Sequence, residues 1–136
     1  MSQQGKIFTL PVRVYFQDTD AGGVVYHANY LNFMERARTE WMRSHGYSNA
    51  ELMKEFGAVF VVRSLKLDYL KPALLDDMLS VTAQIKDIGR SRISLYQTVG
   101  RDAVVLTEGE VHLVCVSLES FKPVSVPEVL REQWKN

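Results

Sequence analysis

A single cysteine, Cys115, excludes an internal disulfide, so the cysteine content gives no sign of an oxidising compartment. The 16 basic and 16 acidic residues balance, which excludes the broad basic face that nucleic-acid phosphates require. No window reaches the ~18 apolar residues of a membrane span. The polar segment 1–6 also lacks the apolar stretch of a signal peptide. We therefore expect a cytoplasmic protein with no membrane span and no nucleic-acid partner.

Several catalytic and cofactor-binding motifs are also missing. The sequence has no HExxH or similar spacing of metal ligands, no GxSxG, no P-loop and no GxGxxG. We therefore expect no bound metal and no cofactor, and serine-based hydrolysis of the GxSxG type has no support. Cys115 lies in the largely apolar run Val111–Val116, so we interpret it as a structural thiol rather than a nucleophile.

The chain has the size and composition of one folded domain. Neither a repeat nor a linker rich in Pro, Gly or Ser interrupts its 136 residues, so we expect a single domain over 1–136. The hydrophobic fraction of 46% is enough for a core. A copy of this size buries limited surface, so oligomerisation would add stability.

The hydrophobic pattern predicts a strand, two helices, four further strands and a short terminal helix. The first strand, Ile7–Phe16, alternates, and its apolar residues, including Phe16, are expected to share one buried face. Apolar residues recur at helical spacing from about 28 to 44. A capping box at Ser48 starts the second helix, which ends at Gly57. The remaining elements are expected at 58–69, 79–88, 93–100, 104–116 and 128–133.

The connections between the later strands have the length of hairpins, which implies an antiparallel sheet. In the turn 87–90, Gly89 is expected to adopt a special backbone conformation. One long helix can cover one face of the sheet, and a partner subunit could cover the other. The predicted class is α+β.

The residues best suited to chemistry lie between the first strand and the long helix: Asp18, Asp20, Gly22, Gly23, His27 and Asn29. Aspartates are common in turns and before helices, so turn formation is the simpler interpretation of the two carboxylates. The paired glycines, however, let the backbone come close to a ligand, and the helix start offers unpaired N–H groups. A carboxylate beside such donors suits acyl transfer, because the donors can stabilise an oxyanion.

The segment DTDAGGVVYHANY at 18–30, followed by FMERARTE at 33–40, resembles the signature of 4-hydroxybenzoyl-CoA thioesterase-like hotdog proteins. The form of the segment is most similar to the bacterial acyl-CoA thioesterases associated with the Tol-Pal system. Residues 60–63, 75–79 and 122–123 also fit, so the resemblance covers nearly the whole chain. It implies a hotdog fold, in which a five-stranded antiparallel sheet wraps around one long helix. It further implies a homodimer with active sites at the subunit interface, often paired into a homotetramer.

The same resemblance implies roles for individual residues. Asp20 would be the catalytic carboxylate, acting as nucleophile or as general base on water. Backbone N–H groups around Tyr26 and His27 would polarise the thioester carbonyl. The His27 side chain could orient water or the carboxylate, with simple packing as the alternative. Tyr26 could line the acyl pocket or belong to the core, and Asp18 is expected to hold the loop.

Two departures from the family pattern bear on the substrate. Aryl-CoA enzymes of the family have Pro after the catalytic aspartate and Tyr at the position of His27, whereas this chain has Ala21 and His27. The departures favour a short or aliphatic acyl group over hydroxybenzoyl. The phosphates of coenzyme A should meet a basic patch, for which the best candidate is Arg90, Ser91 and Arg92 beside the turn. A solvated hairpin tip is the alternative interpretation.

The predicted activity is hydrolysis of short- to medium-chain acyl-CoA thioesters, with acyl carrier protein as a possible carrier. A hydratase on the same fold is a second enzymatic possibility, but the His paired with Asp or Glu that such enzymes use is absent here. A non-catalytic module that binds acyl carriers or envelope and lipid-synthesis proteins is the remaining alternative. It would not need a carboxylate at position 20.

Overall fold

The computed structural model describes residues 6–135 and contains five strands and three α-helices in this part of the chain. In chain order they are β1 Phe8–Arg13, α1 Asn29–Ser44, α2 Asn49–Phe56, β2 Ala58–Tyr69, β3 Met78–Ile88, β4 Arg92–Arg101, β5 Val104–Ser117 and α3 Glu128–Trp134.

The strands form one antiparallel sheet in the order β1-β3-β4-β5-β2. Helix α1 packs against β1, β3 and β4. The inward-facing residues of β3 and β4 alternate along each strand as predicted, and Leu79, Val81, Leu95 and Val99 are fully buried. The prediction of an α+β fold with a five-stranded antiparallel sheet is confirmed.

Two helices follow the sequence signals closely. In α2, the Ser48 Oγ accepts from the Glu51 N–H at 3.1 Å, and the Glu51 carboxylate accepts from the Ser48 N–H at 2.9 Å. Gly57 ends the helix with a left-handed φ of 61°. In α1, Tyr30, Met34, Ala37 and Trp41 are buried as predicted, together with Phe33. Leu31, predicted on the same face, is exposed instead.

Two further local predictions are wrong. The first strand ends at Arg13, and 16–18 form a single 3-10 turn that leaves Phe16 81% exposed. The cause is Asp18, whose carboxylate accepts from the Tyr15 N–H at 2.8 Å and bends the chain out of the sheet. Gly89 has no positive φ, because a hydrogen bond from its N–H to the Arg92 carbonyl closes the turn without one.

The two edges of the sheet are β1 and β2. Within residues 6–135, β2 pairs only with β5 and carries the exposed apolar residues Val61, Val62 and Leu65. A register shift between Val62 and Ser64 inserts a bulge, so Val62 and Leu65 lie on one face despite their odd spacing. Across residues 6–135, no helix has the length and apolar character needed to span a membrane.

Candidate active site

Asp20 lies in a tight turn between β1 and α1. The Asp20 N–H donates to the Val24 carbonyl at 2.9 Å, and the Gly23 N–H donates to the Asp20 carbonyl at 3.1 Å. The Asp20 side chain is exposed, and its Oδ1 accepts from the Gly22 N–H at 2.8 Å. It forms no ion pair with another residue of 6–135. One carboxylate oxygen is therefore held in place by a hydrogen bond, while the other is free to react.

The two glycines have different roles in this turn. Gly23 has a φ of 81°, a conformation that residues with a side chain rarely adopt. A Cβ on Gly22 would lie 3.3 Å from the Asp20 Oδ1, so the absence of a side chain lets the Gly22 N–H approach the carboxylate. The close backbone approach that the glycines predict is thus made by the Gly22 N–H to the Asp20 carboxylate.

Asp18 is buried and holds the two arms of the loop together. Its Oδ2 accepts from the Tyr15 N–H, and its Oδ1 accepts from the Asn29 side-chain amide, each at 2.8 Å. Its carbonyl accepts from the Tyr26 N–H at 3.0 Å. This geometry is that of a loop-holding residue, because both carboxylate oxygens are occupied.

The start of α1 offers fewer N–H donors than the sequence suggests. The Tyr26 N–H already donates to the Asp18 carbonyl, and the Asn29 N–H donates to the Tyr26 carbonyl at 2.8 Å. The backbone N–H groups of His27 and Ala28 have no acceptor among residues 6–135. Of the N–H groups predicted to polarise a carbonyl, that of Tyr26 is therefore occupied, whereas those of His27 and the neighbouring Ala28 are free.

An aromatic cluster surrounds this helix start. The His27 ring lies 4.5 Å from the Tyr26 ring and 6.4 Å from the Tyr69 ring, between centroids. Tyr69 also contacts Tyr30 edge to face at 5.4 Å. The Tyr30 hydroxyl accepts from the Ala73 N–H, and burial raises the pKa of Tyr30, which keeps its phenol neutral. His27 and Tyr26 are both exposed, so Tyr26 does not belong to the core.

The basic residues Arg90 and Arg92 lie far from Asp20 within one chain. The turn before β4 joins β3 at Ile88, whereas the opposite end of β3, at Met78, pairs with Arg13 beside the Asp20 loop. Ten residues of strand separate the two ends by roughly 33 Å. Arg90 and Arg92 are exposed and Ser91 is half-buried, its carbonyl accepting from the Cys115 N–H. One chain therefore does not bring the predicted phosphate contacts to the predicted carboxylate.

A groove of about 460 Å³ runs beside α1 under the β2 edge. Its apolar lining includes Leu31, Phe60, Val62, Leu65 and Leu113. Its lining also includes Glu35 and Arg38. The Arg38 guanidinium donates to the buried Gln97 Oε1 at 3.0 Å, and burial lowers the pKa of Arg38. The groove begins at Leu31, about one helical turn beyond the free N–H groups.

Other candidate nucleophiles and ligands contribute nothing to this site. Cys115 is fully buried, and burial raises the pKa of its thiol to about 11, so it stays protonated. Among residues 6–135, no group of three or more His, Cys, Asp or Glu side chains could hold a metal ion.

The model of one protein family matches residues 14–134, and that family is described as the thioesterase-like superfamily. The chain belongs to the thioesterase-like superfamily. It is 43% identical over 124 residues to the acyl-CoA thioesterase YbgC of Haemophilus influenzae, covering 91% of each chain. It is 45% identical over 130 residues to the acyl-CoA thioester hydrolase YbgC of Escherichia coli, covering 95% of this chain and 96% of that one.

Solved structures of thioesterases have the same fold as this thioesterase-like chain. A probable thioesterase from Bartonella henselae superposes with a TM-score of 0.86 at 32% identity, covering 90% of this chain and all of that one. A 1,4-dihydroxy-2-naphthoyl-CoA thioesterase from Synechocystis has a TM-score of 0.85 at 25% identity, with 93% of each chain covered.

Sequence reasoning missed one residue beside the site. Tyr69 follows His27 by 42 positions, and its hydroxyl donates to the His27 carbonyl at 3.0 Å. No local motif marks it, because the contact depends on where the end of β2 lies in the sheet. Strand alternation alone indicates only that an aromatic side chain ends this strand.

Proposed function

We propose that this chain is an acyl-CoA thioesterase in which Asp20 supplies the reacting carboxylate. The supporting observation is one hydrogen-bonded loop that combines an exposed Asp20 with the acceptor-free N–H groups of His27 and Ala28. Membership of the thioesterase-like superfamily and the relatives named acyl-CoA thioesterases make thioester hydrolysis the reaction.

The reaction converts an acyl-CoA and water to a carboxylic acid and the CoA thiol. Asp20 either removes a proton from the attacking water or attacks the carbonyl carbon itself, forming an anhydride and releasing the thiolate before water cleaves the anhydride. Both courses place negative charge on the carbonyl oxygen, which the His27 and Ala28 N–H groups would stabilise. The exposed His27 ring would orient the water.

The groove beside α1 is the proposed acyl site. It begins about one turn beyond the helix start, so a chain attached to a carbonyl at His27 can enter it. Its apolar lining suits a short- to medium-chain aliphatic group, in keeping with Ala21 and His27. Tyr26 and Gly23 would contact the substrate beside the reacting carbonyl. The carrier would be CoA, and acyl carrier protein would present the same thioester.

The site also requires a second copy of the chain, in a homodimer or a pair of dimers. If two β2 edges pair antiparallel, a two-fold axis places the Tyr69 end of one strand beside the Ala58 end of the other. Arg92 lies at that Ala58 end, because it pairs with Val114, which pairs with Val61. The partner would thereby bring Arg90, Ser91 and Arg92 toward the first copy's Asp20, where they would bind the CoA phosphates. A cytoplasmic location, where acyl-CoA is used, belongs to the same proposal.

The deciding experiment measures thiol release from acyl-CoAs of increasing chain length. Asp20→Asn should reduce kcat by about 10²–10⁴-fold, the usual contribution of an acid–base or nucleophilic carboxylate. Asp102→Asn is the matched control, because Asp102 is also an exposed turn aspartate with a backbone that Asn tolerates. It should retain wild-type activity.

Two outcomes would contradict the proposal. Equal activity of Asp20→Asn and wild type, with both assembled alike, would remove Asp20 from the reaction. A wild-type protein that hydrolyses neither CoA nor acyl carrier protein thioesters would favour the non-catalytic binding module.

A further inference from the structure

Tyr69 reaches from the end of β2 to the backbone of the candidate site. Its hydroxyl donates to the His27 carbonyl at 3.0 Å, while its ring contacts the rings of His27 and Tyr30 edge to face. Tyr69 pairs with Thr107 in the β2–β5 ladder, so a strand rather than a loop fixes its position. Its phenol is therefore held against one particular peptide group.

That peptide group joins His27 to Ala28. Its carbonyl belongs to His27, and its N–H, that of Ala28, is one of the two free N–H groups. The described chain has no cis peptide, so the carbonyl of His27 and the N–H of Ala28 point in opposite directions. A donor on the carbonyl fixes the plane of the peptide and therefore the direction of the N–H. It also polarises the peptide, which strengthens the N–H as a donor by about 10–30%.

We propose that Tyr69 is a positioning residue for the oxyanion site, acting through the His27–Ala28 peptide. The inference rests on the proposed thioesterase function and names a residue on which its rate depends. Because the oxyanion exists only near the transition state, the effect should fall on kcat rather than on substrate binding. Tyr69 thus couples the end of β2 to the chemistry at the start of α1.

The test uses Tyr69→Phe, which keeps the ring contacts and removes only the hydroxyl. We expect kcat to fall by about five- to tenfold with KM nearly unchanged, as for one lost hydrogen bond felt in the transition state. Tyr96→Phe is the matched control, because the Tyr96 hydroxyl also makes one hydrogen bond, to Glu108 at 2.8 Å, on a different part of the sheet. It should leave kcat unchanged.

A spectroscopic measurement separates positioning from a purely structural role. An acyl-CoA labelled with ¹³C at the carbonyl is bound to Asp20→Asn, whose slowed turnover should leave the thioester intact during the measurement, and its carbonyl stretch is recorded by difference infrared spectroscopy. Adding Tyr69→Phe should move the stretch back toward the value in water, because the Ala28 N–H is weaker and less well directed. Incorporating 4-aminophenylalanine at position 69 restores a donor and should recover part of both the shift and kcat.

The outcomes separate this inference from the proposed function. Active wild type, inactive Asp20→Asn and unchanged kcat in Tyr69→Phe would overturn the role of Tyr69 alone. A raised KM with unchanged kcat, or a carbonyl stretch insensitive to the hydroxyl, would do the same. Wild type without hydrolytic activity would overturn both.

Discussion

Positions 18 and 20 carry the same side chain in opposite surroundings. Asp18 is 4% exposed and both of its carboxylate oxygens accept hydrogen bonds, whereas Asp20 is exposed and has one free oxygen. The difference arises from the turn, which directs alternate side chains inward and outward. Two aspartates separated by one residue can therefore divide stability and chemistry between them.

The two corresponding amides should separate these roles. In Asp18→Asn the new NH₂ faces a donor, either the Tyr15 N–H or the Asn29 amide, and one buried hydrogen bond is lost. We expect the free energy of unfolding in urea to fall by about 1–3 kcal/mol. Asp20→Asn should change it by less than about 0.5 kcal/mol, as for an exposed position. Equal destabilisation by both substitutions would contradict the assignment.

Cys115 gives a pH dependence whose sign follows from its raised pKa. Burial raises the pKa of the thiol to about 11 in the folded chain, against an ordinary value of about 8.5 when unfolded. The contribution of the thiol to the free energy of unfolding is complete below the pKa of the unfolded chain, and it is lost as pH rises from about 8.5 toward 11. The urea midpoint of wild type should fall more over this range than that of Cys115→Ala. A parallel decline in the two proteins would exclude a Cys115 contribution.

At the scale of elements, the sequence predicts best where one local interaction decides the structure. The bounds of α2 and the end at Gly57 follow from the Ser48 capping box, and the eight predicted inward residues of the alternating strands β3 and β4 need only burial to be placed. The end of β1 was missed because a side chain, Asp18, competes with the strand for the Tyr15 N–H. Tyr69 was missed because its partner is remote in sequence.

The β2–β5 ladder, which places Tyr69, depends on a glycine. A Cβ on Gly109 would overlap the Leu67 Cδ2 and lie 2.8 Å from the Lys66 carbonyl oxygen, so Ala would force the strands apart. We expect Gly109→Ala to lower the free energy of unfolding by about 1–3 kcal/mol. Gly89→Ala is the control: its nearest contact would be 3.6 Å at an ordinary φ, so its stability should stay close to wild type. Urea unfolding of both proteins checks the difference.

At the scale of the whole molecule, the exposed β2 edge should be an interface. Val61 is 38% exposed on an edge whose backbone groups have no partner strand on one side, within residues 6–135. Val61→Asp should shift the protein to monomers in sedimentation velocity, with loss of activity. Val129→Asp, at 40% exposure on α3, is the matched control and should assemble normally. A dimer that survives Val61→Asp would place the interface elsewhere.

Asp20 and Arg90 lie too far apart in one chain to act on the same substrate molecule, so the assembly should combine them from two copies. If both act on one substrate molecule, they must come from different copies, since roughly 33 Å of β3 lies between their ends of the sheet. Hybrids of Asp20→Asn with Arg90→Ala then contain one intact site and one doubly altered site. Random mixing of the two variants by joint refolding should recover about one quarter of wild-type activity at low substrate, because half of the dimers are hybrids. If each site instead uses both residues of one copy, every hybrid site is defective and mixing adds nothing to the average of the two parents.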